Sequence, residues 1–202
     1  MASIKDKCLE LVFVACRHGN SWWMPLLLVG VCTLNSLTGG VLTMSVGMLQ
    51  MALFNIIVLS RKYSFILGPL AMSIGSLVAA ITYVQIMKSD GADALLEFTG
   101  AKGSTWLEKA NGYAQDYGVL GLLGLQIAPI PIPTAVLVIA GMLAKMNEYK
   151  ILVTLFVSKI VQLTLGAVAL KYATENMTPE EFIRKQMLGE EENKEDKDKK
   201  GE

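Results

Sequence analysis

The placement of charge constrains this chain more than any other feature. Residues 18–60 contain no Lys, Arg, Asp or Glu, a run of 43. Residues 63–87 add an uncharged run of 25, and residues 117–144 one of 28. A fourth apolar run, 151–170, holds a single charge, Lys159. A bilayer-spanning helix needs about 20 apolar residues. Charged residues total 18%, against roughly 25% in soluble domains. These runs predict an all-α polytopic membrane protein. The net charge of zero says little about partners, because the position of the charges matters more than their sum.

Two of the runs carry helix breakers at their centres. The first is too long for one crossing, and Thr38, Gly39 and Gly40 mark its middle. The third holds Pro129, Pro131 and Pro133 at alternate positions. A proline lacks the N–H that a helix needs and disfavours helical backbone before it. A helix of about 28 residues is ~42 Å long, too short for two full passes of ~30 Å. Two half-depth arms fit. The expected layout is an amphipathic helix over 1–20, a membrane domain over 21–172 and a tail over 173–202. Within the membrane domain we expect hairpins at 21–60 and 118–144, spans at 63–87 and 151–171, and a luminal loop at 88–117 with short interfacial helices. Thr178, Pro179 and Glu181 predict a short capped helix in the tail. From residue 190 onward the tail has seven acids, four lysines and no apolar side chain. It is expected to be disordered.

The flanking charges assign sides. Lys5, Lys7, Arg17 and His18 favour a cytosolic N-terminus, and Arg61 and Lys62 return the chain to the cytosol. The span 63–87 then leads to the acid-leaning luminal loop. The sequence ends in Lys-Lys-Gly-Glu, and Lys199 and Lys200 form a dilysine retrieval signal of endoplasmic reticulum membrane proteins, readable only from the cytosol. Both termini are cytosolic only if 118–144 turns back to the lumen. The sequon at Asn176 then stays unglycosylated. The two hairpins enter from opposite faces, which is an inverted repeat of re-entrant hairpin plus transmembrane helix. A sequence echo accompanies it: Gly47-Met48-Leu49 answers Gly141-Met142-Leu143.

The second half of the chain resembles the DedA/VTT superfamily, the SNARE-associated Golgi protein group that includes vacuole membrane protein. Gly118 after a short amphipathic helix, the proline tip at 129–133, the pair Ala140-Gly141 and Tyr149 carry the resemblance, and Lys159 falls near the family's basic site. Where the family has an arginine before the tip, this chain has Gln126, and neither hairpin holds an acid. The resemblance implies scrambling or hand-over of phospholipids in the endoplasmic reticulum membrane, beside a bridge-like lipid-transfer protein or another membrane complex. A structural subunit anchoring such a complex, without transport of its own, is the alternative. No cofactor, metal or nucleic acid enters either reading, and no nucleophile–base arrangement points to an enzyme.

Lys159 is the leading candidate for contact with a headgroup phosphate, or else a structural partner of Ser158 or of the tip carbonyls. A charge at the centre of a span costs ~2.5–3.5 kcal/mol on insertion scales, so it should face protein or a hydrated cavity. Gln162, three residues on, shares its helix face. Gln126 completes the set and is expected to cap free carbonyls at the tip, with Asn35, Ser36 and Thr38 doing the same at the first break. Cys8, Cys16 and Cys32 are expected to be packing residues.

Overall fold

The computed structural model describes residue 12 and residues 14–38, 44–60, 64–99, 105–128, 132–174 and 177–182. Gly39, Gly40, Pro129, Pro131, Asn176, Lys199 and Lys200 lie outside the described residues, as does the expected disorder from residue 190. Every regular element among the described residues is helical. In chain order they are α1 Met24–Leu37, α2 Met44–Ser60, α3 Ser64–Ser89, α4 Gly91–Thr99, α5 Thr105–Tyr117, α6 Val119–Ile127, α7 Thr134–Leu143 and α8 Glu148–Ala173.

Helix lengths sort these elements into two kinds. The 26-residue helices α3 and α8 each run ~39 Å and are apolar enough to cross a bilayer. The helices beside the two breaks are shorter. With 9 and 10 residues, α6 and α7 reach only ~14–15 Å. Even α2, with 17 residues, reaches only ~26 Å.

The two long helices are antiparallel. Ala79, Ala80, Tyr83 and Val84 of α3 share one apolar core with Ile151 and Leu155 of α8. Ala71 and Met72, earlier in α3, share a second core with Ala167, late in α8. An ion pair between Lys88 and Glu148 ties the end of α3 to the start of α8. The chain between them, α4 to α7, therefore leaves and returns at the same end of the bundle.

Each half of the chain builds one of the two cores. The segment before α1, together with α1 and α2, covers the Ala167 end; α4 to α7 cover the Ile151 end. Contacts repeat between the halves. Helix α1 packs along α3 as α6 packs along α8, and α2 reaches across to α8 as α7 reaches across to α3. The second arm of each half is the most enclosed. Residues 53–58 of α2 and 135–141 of α7 are buried without interruption. An unbroken buried run on a helix means neighbours on all sides, not one apolar stripe. The Gly47–Gly141 echo does not survive as an equivalence. Gly141 lies tight against Ile151 and Leu122 near the end of α7, whereas Gly47 sits in the first turn of α2 with open space around it. The likeness between the halves lies in the packing of helices, not in those residues.

The halves also differ at their breaks. In the first, α1 and α2 pack on each other. In the second, the backbones of α6 and α7 stand farther apart, meeting through side chains such as Leu122 against Gly141, and α5 packs against both. Gly118 makes the turn from α5 into α6 with φ +56°, a left-handed backbone that suits glycine.

The outer faces are apolar. Val153, Val157, Val161, Leu165 and Val168 form an exposed stripe down α8, and Leu70, Ile74, Val78 and Ile81 form another on α3. Apolar surface arranged this way calls for a nonaqueous neighbour. Tyr149 and Tyr172, both exposed, bracket α8 about 35 Å apart along its axis, the spacing of aromatic residues at two membrane interfaces.

Both ends of the described chain meet at one end of the bundle. Phe182 packs against the core that holds Val12 and Ala15. The Cys16 thiol is pushed up to about 11 by burial and, second, by nearby Glu180. The tail turn closes as a reciprocal cap: the Thr178 N–H donates to Glu181 at 2.8 Å, and the Glu181 N–H donates to Thr178 Oγ1 at 3.3 Å. The Thr178 bonds hold the Glu181 carboxyl below its usual range.

Candidate functional site

The uncharged runs hold few polar side chains, and the fold gathers many of them between the two breaks. The second-half cluster is built on α8. Lys159 and Gln162 stand three residues apart on one face, and the Lys159 ammonium donates to Gln162 Oε1 at 3.3 Å. The Gln162 amide donates to the Ala128 carbonyl at 3.2 Å. Ala128 ends α6 with extended backbone, so no following helical turn satisfies its carbonyl. Gln126, itself buried, donates to Gln162 Oε1 at 3.5 Å, the outer limit of a hydrogen bond.

Lys159, Gln162 and Gln126 thus meet, but their division of labour differs from expectation. Gln162, not Gln126, holds the free carbonyl at the break, because Ala128 presents that carbonyl toward α8. Ser158 does not partner Lys159. Its hydroxyl returns to Thr154 O at 2.6 Å, inside its own helix. Among the described residues no carboxylate pairs with Lys159, and its ammonium makes one hydrogen bond where three are possible.

The first-half cluster has no charge. Asn35 of α1 donates to Gln50 of α2 at 2.6 Å, joining the two arms across the break. Gln50 in turn donates to the Cys32 sulfur at 3.6 Å, and the Cys32 thiol donates to the Met72 carbonyl at 3.2 Å. Thr38 donates to Leu34 and Asn35 carbonyls at the end of α1, the capping role expected of it. Asn35 serves the arm-to-arm contact instead. The Ser36 carbonyl accepts from the hydroxyl of Tyr83 on α3. So a side chain from each long helix holds a carbonyl at the end of the first arm of its own half: Tyr83 for Ser36, Gln162 for Ala128.

The clusters connect. Ser76 of α3 bonds Thr134 at the start of α7 at 3.2 Å, just after Pro133, whose extended backbone opens that helix. The result is a polar seam that crosses the interior from the first break to the second. Gln50, Cys32, Ser76, Tyr83 and Thr134 belong to this seam and were not among the candidates. Gln50 carried a readable signal, as the only glutamine in a 43-residue uncharged run. The others look like ordinary membrane-helix residues in sequence. Among the described residues, no three His, Cys, Asp or Glu side chains gather as metal ligands would.

Comparison with protein-family models, curated proteins and solved structures finds no match for this chain.

Proposed function

We propose that this chain is a VTT-like polytopic protein of the endoplasmic reticulum membrane that lets phospholipid headgroups pass between leaflets or hands lipid to a partner. One observation carries the reading: a cation with no acidic partner among the described residues, held on a polar seam between two chain breaks, inside helices whose outer faces are apolar. Headgroup passage needs a polar path through an apolar slab, and irregular backbone at membrane depth is tolerated where it lines such a path or packs in protein.

The topology has its own support. The Lys88–Glu148 pair favours an apolar run 118–144 that returns to the side it left. Phe182 against the Val12 core favours two termini on one side. The basic residues Lys5, Lys7 and Arg17 before the first apolar run favour the cytosol for that side. The short arms α6 and α7 suit a half-depth hairpin, and the paired contact pattern suits an inverted repeat.

A second reading, a non-transporting subunit that anchors a larger lipid-transfer complex, draws on the hydrogen bonds within the seam, since a network bonded to itself serves rigidity as well as passage. Reconstitution separates the two. The purified chain is placed in liposomes with a fluorescent headgroup-labelled lipid, and dithionite is added outside. Scrambling bleaches nearly all the dye; the anchoring role leaves about half, the inner leaflet, protected. Protection equal to that of protein-free vesicles would refute transport by the isolated chain.

A further inference from the structure

We infer that the seam selects phospholipids of net negative headgroup charge, with Lys159 as the phosphate-binding residue. This deepens the proposed function and rests on it for the route by which the lipid reaches Lys159.

The asymmetry of the seam is the starting point. The two breaks hold unequal chemistry: a neutral Asn35–Gln50 pair at one, and Lys159 with Gln162 and Gln126 at the other. An ammonium placed among amides costs several kcal/mol to desolvate unless an anion meets it. Among the described residues no carboxylate does so, and two of its three donor positions make no hydrogen bond. Gln162 fixes the ammonium from one side only.

The neighbouring groups decide which anion fits. A phosphodiester offers oxygens to Lys159 and to amide N–H groups, and a lysine binds phosphate as a point charge. Zwitterionic headgroups carry their own cation a few bonds from the phosphate. Docking that phosphate on Lys159 brings a second positive charge into the seam, where it meets a like charge. The described seam has no acid to receive it, only the Gln50 and Asn35 amides and the Cys32 sulfur. Phosphatidylglycerol carries the phosphate without a cation and incurs no such repulsion. A shared low-dielectric interior makes the difference larger than it would be in water.

The test uses phosphatidylcholine vesicles containing the full chain and trace fluorescent lipids with identical acyl chains and the dye on one of them. The phosphatidylglycerol probe is expected to cross about three- to tenfold faster than the phosphatidylcholine probe. Lys159→Gln is expected to bring the two rates together, and Lys159→Arg to keep them apart. Equal rates in the native chain, with scrambling intact, overturn the selectivity and leave the proposed function standing. Slowing of the phosphatidylglycerol probe by free inorganic phosphate in the buffer would assign the cation to a soluble anion and also overturn it. A second readout covers a chain that moves no lipid. The purified protein in detergent is exposed to equal phosphatidylglycerol and phosphatidylcholine, and the lipid retained is measured by native mass spectrometry. Enrichment of phosphatidylglycerol that Lys159→Gln abolishes upholds the site although transport has failed; retention in equal amounts refutes it.

Discussion

Replacing Gln162 with Leu tests whether the second break is held from α8. The side chain is close in size, so packing loss is small, and the change removes three contacts at once: the donation to Ala128 O, and the acceptance from Lys159 and Gln126. Interhelical side-chain hydrogen bonds in membrane proteins average about 0.6 kcal/mol, with a maximum near 1.7. The bonds to Ala128 and Gln126 join α8 to α6, which sets a range of ~1–3 kcal/mol. The orphaned Lys159 ammonium pushes the result toward the upper end, since an unsatisfied buried polar group costs ~1–3 kcal/mol and a charged one more. Gln126→Leu loses only the 3.5 Å contact and should cost about 0.5 kcal/mol. Val161→Leu, on the exposed stripe of α8, should cost less still. Unfolding from mild detergent by added denaturing detergent, followed by circular dichroism, ranks the three. If Gln162→Leu unfolds with Val161→Leu, the break is not held from α8 and the polar seam has no structural weight.

Two further perturbations read other parts of the fold. At Gly75 an added Cβ would lie 2.7 Å from Val29 O and 2.8 Å from Cys32 Cβ, so Gly75→Ala should push α1 away from α3 and cost ~1–3 kcal/mol in the same unfolding assay; an unchanged midpoint would refute the close approach. The Cys16 thiol, raised to about 11, should stay protonated at pH 9. Because the folded value lies above the ordinary thiol value of 9.0, its contribution to stability is present below pH 9 and is lost as pH rises toward 11. Iodoacetamide labelling of Cys16 in a Cys8→Ser background should therefore rise near pH 11, and Glu180→Gln should move that rise to lower pH; labelling already complete at pH 9 would contradict the packing of the tail on the N-terminal segment.

How much of this was readable from residues alone follows from what each interaction depends on. The long helices were legible because hydrophobic run length is a local property: the ends of α3 and α8 fall within three residues of the spans that predicted them. Gly118 and Pro133 bound the second-half arms for equally local reasons, a left-handed turn and an extended backbone before α7. Lys159 stood out because a charge in a span is rare. What its partners do was not legible. Gln126 and Gln162 are chemically identical side chains, and only the direction of the Ala128 carbonyl decides which one holds it. Ser76 and Thr134 acquire their roles from a crossing between halves and Tyr83 from a crossing between helices of one half, neither of which spacing along one helix encodes. The packing of α5 against both α6 and α7 was hidden for the same reason.

The claim on which the rest stands is that residues 118–144 turn back within the membrane. Single cysteines at Asp90, Lys145 and Thr178, in a background without the native thiols, can be labelled in intact microsomes with a membrane-impermeant maleimide. A turned-back run predicts that positions 90 and 145 are both protected until the membrane is permeabilised, while position 178 labels at once. Immediate labelling at 145 together with protection at 178 would mean that the run crosses completely, and would contradict the proposed inverted repeat and the proposed cytosolic tail.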